Sequence, residues 1–235
     1  MKKLNALYEG KAKIIYETDE ANKFIVYFKD DATAGNGAKK GTIVDKGIMN
    51  NRMSEFFFNL LEKNGIATHM LEVPNDREMV VKKLDMFALE VIVRNVAAGS
   101  LAKRLGLAEG TPLKSTVLEY CYKNDELGDP MLNRYHIAAI EIATAEELDE
   151  IEKISFKVNQ LLTDFLKTKN VRLIDFKLEF GKDESGKIIL ADEISPDNCR
   201  FWDMTTNEKL DKDRFRRDMG GVEDAYKEIL NRVTK

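Results

Sequence analysis

Leu173-Ile174-Asp175-Phe176-Lys177-Leu178-Glu179-Phe180-Gly181 alternates apolar and charged side chains along its length. In a β-strand, side chains two apart share a face. Asp175, Lys177 and Glu179 therefore line one side, and Ile174, Phe176, Leu178 and Phe180 the other. Residues 187–194 read as a second strand, joined to the first by the polar turn Lys182-Asp183-Glu184-Ser185-Gly186 and ending in Asp192-Glu193. Taken alone, the first strand is an ordinary amphipathic strand with a solvated charged face. The second acidic pair across the hairpin changes the balance, because Mg2+ carrying nucleotide phosphates takes only one or two carboxylates from protein. Glu179 and Asp192 are the pair expected to supply them. The expectation depends on hairpin register, since a slip of one residue turns Asp192 to the opposite face.

Working outward, residues 144–168 read as the clearest helix, opened by the capping box Thr144-x-x-Glu147 and carrying Leu148, Ile151, Ser155, Val158, Leu162 and Phe165 at helical spacing. A second helix covers 45–64, with Met49, Met53, Phe56, Phe57, Leu60 and Leu61 in one core-facing stripe. Short β-branched and aromatic runs predict strands near 12–17, 24–28, 68–73, 78–84, 89–94 and 117–123. A short helix is expected at 100–105, stopped by Gly106, and a helical tail at 213–233, broken at Gly220-Gly221. Residues 30–41 hold three glycines and no periodicity, and read as a long functional loop. The fold class is α+β, in two lobes of one unit: a strand-rich lobe over 1–84 and an α+β lobe over 85–235.

Net charge is −4, with 37 basic and 41 acidic residues, which argues against nucleic acid as partner and leaves local basic clusters for small phosphates. Cys121 and Cys199 are too far apart for a C-x-x-C pair, and His69 and His136 are too few for a His-rich metal site. The N-terminus has no apolar stretch behind its lysines, and no run approaches a membrane span, so a cytoplasmic protein is expected. Three segments suit phosphates. Gly10-Lys11-Ala12-Lys13 is no P-loop, but its glycine admits close backbone approach and its lysines share a strand face. Arg94 through Ser100 joins a strand to a helix N-terminus, and a phosphate pocket and a plain N-cap serine fit it equally well. Ser195-Pro196-Asp197-Asn198-Cys199-Arg200-Phe201-Trp202 offers Arg200 for bidentate phosphate binding.

In protein kinases an Asp, a Lys two residues on and a metal-binding Asn precede a metal-binding Asp on a following hairpin. Asp175, Lys177, Glu179 and Asp192 fall in the same order. The four segments together resemble the SAICAR synthetase (phosphoribosylaminoimidazole-succinocarboxamide synthase) family over nearly the whole chain. The most specific stretches are residues 173–181 and Leu89-Glu90-Val91-Ile92-Val93-Arg94 with Ala98-Gly99-Ser100. Support comes from Tyr8 to Lys13, from Lys82-Lys83-Leu84-Asp85-Met86, and from Lys123-Asn124-Asp125 with Asp129-Pro130-Met131. Ala88 stands where the family often has Pro, and Asn198-Cys199 replaces smaller residues before Arg200.

The resemblance implies a protein-kinase-like, two-lobed fold with antiparallel sheets and ATP between the lobes. It implies an ATP-dependent ligase of purine biosynthesis that joins carboxyaminoimidazole ribonucleotide to L-aspartate, giving SAICAR, ADP and phosphate through an acyl phosphate. It assigns Lys11, Lys13, Lys82 and Lys123 to ATP, Glu179 and Asp192 to Mg2+, and Arg94, Ser100 and Arg200 to the ribonucleotide phosphate. Lys177 and Asp175 are assigned to the reacting groups. A homodimer or other homo-oligomer is also implied. Residues 30–41 suit a lid that keeps water from the acyl phosphate. Two other readings stand beside this one: a small-molecule kinase of the same general fold, and a non-catalytic nucleotide-binding module.

Overall fold

Five strands precede the first helix: β1 (Lys3–Glu9), β2 (Lys13–Thr18), β3 (Lys23–Phe28), β4 (Asp31–Ala34) and β5 (Lys39–Thr42). Next come α1 (Lys46–Lys63), β6 (Met70–Asn75), β7 (Glu78–Lys82), β8 (Asp85–Met86), β9 (Leu89–Val96), α2 (Gly99–Leu105), β10 (Pro112–Tyr122) and β11 (Met131–Leu132). The chain continues through α3 (Arg134–Ala139), α4 (Ala145–Thr168), β12 (Val171–Lys182), β13 (Ile188–Ala191), β14 (Cys199–Asp203), α5 (Asp213–Arg216) and α6 (Val222–Thr234). This is a computed structural model, and it describes residues 1–235 except Asn36.

The first sheet runs β1-β2-β3-β7-β6 and takes all its strands from the first 82 residues. The second runs β11-β10-β9-β12-β13, with β14 and β8 also paired to β12. All registered strand pairs of both sheets are antiparallel. Helix α1 comes from the first part of the sequence but packs against α4 and α6 as well as β3. One apolar core runs through both parts, from Val26 and Phe28 to Ile229 and Val233. Helix α4 starts on its expected cap: the Thr144 amide donates to Glu147 Oε2 at 2.9 Å, and the Glu147 amide donates back to Thr144 Oγ1 at 3.2 Å.

Strand β12 is the hub. Ile174, Phe176, Leu178 and Phe180 are at most 1% exposed, as an inward face should be. The opposite face is not solvated, which corrects the plain amphipathic reading: Asp175 and Glu179 are buried too. The reason is that cationic side chains from neighbouring segments lie over that face, Arg94 and Arg200 on Asp175 and Lys123 on Glu179. Gly181 permits the close approach of Leu84, since a Cβ there would lie 2.8 Å from Leu84 Cβ.

Residues 30–41 are not an aperiodic loop. Asp31–Ala34 and Lys39–Thr42 pair as the antiparallel strands β4 and β5, with Asp31 opposite Thr42 and Ala34 opposite Lys39. Small side chains hide the alternation, but Ala32 and Ile43 anchor the hairpin beside Met49 and Tyr226. Asn36, within the same segment, lies outside the described residues. Ser100 is not an N-cap either. Ala98 caps α2, and Ser100 is the second residue of the helix.

Candidate active site

Asp175 sits directly opposite Arg94 of β9 on one side and Arg200 of β14 on the other. Directly opposed residues of antiparallel strands share a face, so the three form a cation–anion–cation row across the sheet. Arg94 Nη1 donates to Asp175 Oδ2 at 2.8 Å, and Arg200 Nη1 reaches both oxygens, at 3.0 and 2.9 Å. Arg94 also donates to Glu119 at 2.7 Å and to Ser100 Oγ at 3.1 Å. Arg200 donates through Nε to Asp213 at 2.9 Å. Its guanidinium lies against the start of α2, where Gly99 is required: a Cβ there would fall 2.6 Å from Arg200 Nη2, and the backbone has φ +52. Arg94, Ser100, Asp175 and Arg200 therefore form one polar unit.

Two residues further along the same face, the Lys177 ammonium bridges Glu179 Oε1 at 2.5 Å and Asp192 Oδ2 at 2.6 Å. Lys123 donates to the other oxygen of Glu179, and Lys13 to the other oxygen of Asp192. Lys13 also lies 2.9 Å from Glu193. Burial favours a protonated Asp192 carboxyl, but Lys13, Lys177 and Lys123 outweigh it and hold the group far below the usual carboxylate range. Burial likewise works against the Lys177 charge, and Asp192, Glu179 and Glu90 overcome it, raising its pKa. Lys13, Lys123, Lys177, Glu179 and Asp192 thus meet in one place.

The hairpin register that permits this has a local device. Glu179 pairs with Ala191, so regular pleating would send Asp192 to the apolar face with Leu178. Asp192 instead adopts φ +64, which ends the pleat and turns its carboxylate back toward Lys177. Asn198 secures the following loop: its side-chain amide donates to the carbonyls of Lys177 and Glu193, and its Oδ1 accepts from the Ser195 amide.

Lys11 meets Asp125 at 2.7 Å, linking the turn after β1 to the turn after β10. Lys82 ends β7 opposite Lys23 and joins neither network. Sequence reasoning did not single out Glu119, Glu193 as a partner of Lys13, or Glu90, which lies 3.7 Å from Lys177. His69 is buried, with its ring edge-on to Phe58 at 5.5 Å. Burial, helped by Lys13, pushes its pKa down from 6.5 to about 4.

The folded value lies below the unfolded one, so this contribution to stability is complete above the unfolded pKa and is lost as pH falls through the folded value. A loss of roughly 3 kcal/mol is expected over that interval, from 1.36 kcal/mol per pKa unit. Urea unfolding at pH 7.5 and 4.5 should show a smaller drop for His69→Gln than for the parent protein. Equal drops would remove His69 as the source.

The donor set around Lys177 is made of hard carboxylate oxygens, two of which converge on one cation. No group of three or more His, Cys, Asp or Glu side chains gathers to hold a metal among the described residues. Such a set fits Mg2+ that brings phosphate oxygens of its own. Two cavities lie away from these networks. One of about 530 Å3 is lined by the loop after α1, α4 and the β12–β13 turn, and one of about 430 Å3 by β10 and α4.

A family model described as SAICAR synthetase matches residues 6–233. The chain is 62% identical to the phosphoribosylaminoimidazole-succinocarboxamide synthase of Clostridium botulinum (strain Alaska E43 / Type E3), over 100% of both chains. It resembles the crystal structure of the enzyme of that name from Ehrlichia chaffeensis, with a TM-score of 0.96 and 45% identity over 98% of each chain. A SAICAR synthetase solved in complex with ADP matches with a TM-score of 0.94 and 54% identity over 97% of each chain.

Proposed function

The chain belongs to the SAICAR synthetase family, and on that premise we propose how its own residues perform the family's reaction. It is an ATP-dependent ligase of purine biosynthesis, joining carboxyaminoimidazole ribonucleotide and L-aspartate to give SAICAR, ADP and phosphate. A small-molecule kinase of the same general fold is not favoured, since the relatives carry the ligase name along the full chain.

A carboxylate is a poor acylating agent, and phosphorylation turns its oxygen into a leaving group that an amine can displace. The protein must gather three anionic substrates, neutralise their charge and keep water from the acyl phosphate. In this reading Lys11 and Lys13 contact the phosphates of ATP, and Lys82 and Lys123 take part in binding it. Support comes from Lys11 and Lys13, which reach across from the first sheet to Asp125 and Asp192. Glu179 and Asp192 would hold Mg2+, which supplies charge neutralisation for phosphoryl transfer. Arg94, Arg200 and Ser100 receive the ribonucleotide phosphate. Lys177 faces the reacting groups, and Asp175 fixes the two arginines. The observation that carries this reading is the Lys177 bridge between Glu179 and Asp192, two residues along the same face of β12 from the Arg94–Asp175–Arg200 row.

ADP release should require the imidazole ribonucleotide, ATP and L-aspartate together in steady state. An assay that omits each in turn checks this, and full turnover without aspartate would restore the kinase reading. Following the family, a cytoplasmic homodimer or other homo-oligomer belongs to the same proposal, as does a division into lobes over 1–84 and 85–235. The break between the two sheets, after Lys82 and before Asp85, supports that division.

The hairpin β4–β5 remains the candidate lid. Lys39 donates to the Phe215 carbonyl and to Asp218, both at 2.5 Å, and its ammonium lies 4.7 Å from the Phe215 ring centroid. Amide protection in residues 31–42 should rise when ATP and the ribonucleotide are both added, since closure adds contacts to a hairpin held at its rim. Equal hydrogen exchange with and without substrates would count against a lid.

A further inference from the structure

Lys46 opens α1 and Lys212 immediately precedes α5, yet both side chains are buried and both point to one carboxylate, that of Asp197. The carboxylate is already well satisfied. Lys46 Nζ lies 2.8 Å from Oδ2, and Tyr226 Oη donates to Oδ1 at 2.6 Å. Lys212 Nζ is left at 3.5 Å from the Oδ2 that Lys46 occupies. Its residue is only 9% exposed. A buried ammonium that holds its one carboxylate at 3.5 Å, and shares that oxygen with a second lysine, is under-compensated and can be completed by another anion. Consistent with this, burial, Lys46 and Arg216 together lower the Lys212 pKa against the opposing pull of Asp197 and Glu193.

The position of this incomplete site matters. The Lys212 amide donates to the Pro196 carbonyl at 3.0 Å, on the loop whose Asn198 side chain holds the Lys177 carbonyl. The backbones of Lys212 and Lys177 are therefore both tied to one short loop. Arg216, one third exposed, donates to the Asp197 carbonyl at 3.3 Å and shares Asp213 with Arg200. The Lys39 contact of the β4–β5 hairpin falls on Phe215, next to Arg216. The lysines assigned to ATP and the arginines assigned to the ribonucleotide leave the third anionic substrate without a cation.

We propose that the Lys212 ammonium, together with the Arg216 guanidinium, receives a carboxylate of L-aspartate and so orients its amine toward the Lys177 region. The inference rests on the ligase reading above. Lys212→Met is expected to raise the KM for aspartate about 30-fold or more, as for the loss of a buried charge partner. KM values for ATP and ribonucleotide should stay within about twofold, as expected for separate sites. Succinate, which keeps both carboxylates and lacks the amine, should weaken as an inhibitor by the same factor. Lys212→Arg should recover much of the aspartate affinity, and it replaces the Met variant if that variant fails to fold.

A folded Lys212→Met with unchanged aspartate KM overturns the inference while leaving the ligase reading intact. So does a uniform weakening of all three substrates, which marks Lys212 as a structural ion-pair member. A parent protein whose ADP release ignores aspartate overturns the ligase reading, and this inference with it.

Discussion

Glu179→Gln and Asp192→Asn are each expected to lower turnover by at least ~100-fold, the scale expected when a charge-neutralising group is removed from phosphoryl transfer. Both substitutions keep shape and remove charge. Asn is the appropriate replacement at position 192 because the backbone there has φ +64, a conformation Asn adopts readily and most residues avoid. Asp192→Ala would mix backbone strain with the lost ligand. Neither carboxylate is a surface group, so stability must be read with activity. Asp192→Asn leaves Lys13 with Glu193 and Lys177 with Glu179, each short of one negative charge. Breaking a buried pair from one side costs about 3–5 kcal/mol at the upper end. Turnover should therefore be measured well below each variant's melting temperature, with Mg2+ varied. A reduced turnover that excess Mg2+ partly restores supports the metal assignment. Near-normal turnover in both folded variants would end it.

How much of this was legible follows from how far apart the contributing residues lie. The alternation at 173–181 and the Thr144 capping box are local, and both took the form expected of them as strand and helix start. The Lys177 bridge depends on one torsion at Asp192. An Asp at a strand end is compatible with either side of the sheet, and only the positive φ decides between them. The Arg94–Asp175–Arg200 row joins three strands, with partners 81 and 25 positions apart. No spacing rule in a single sequence reports such a contact. Lys46 gives no local sign of its burial. A lysine in the first turn of an amphipathic helix is ordinarily a surface residue, and its burial against Asp197 depends on α6 supplying Tyr226. The β4–β5 hairpin escaped because Ala, Thr and Gly carry too little side chain to show a period.

Asp175→Asn should abolish detectable turnover at ordinary ribonucleotide concentrations, and its geometry says which step fails. The kinase analogy makes Asp175 a base, and the ligase chemistry moves that task to the amide-forming step, where the amine of aspartate must lose protons. The structure gives the carboxylate other work. Its two oxygens accept from Arg94 and Arg200, and the residue is 3% exposed. An amide accepts through one oxygen and turns an NH2 donor toward one guanidinium, so one arginine loses its partner and meets a like donor. Misplacing either arginine weakens the site for the ribonucleotide phosphate before any proton transfer arises. The expected result is a rise in ribonucleotide KM of about 100-fold, taking two to three kcal/mol for a broken charge-assisted pair. ATP affinity should be little changed. In a single turnover, ADP formation and amide formation should fall together, because the acyl phosphate cannot form on a substrate that is not held. A normal ADP burst followed by stalled amide formation would instead return Asp175 to the role of base for the amine. Rescue by saturating ribonucleotide separates the cases further: positioning is recovered by mass action, whereas a missing base is not.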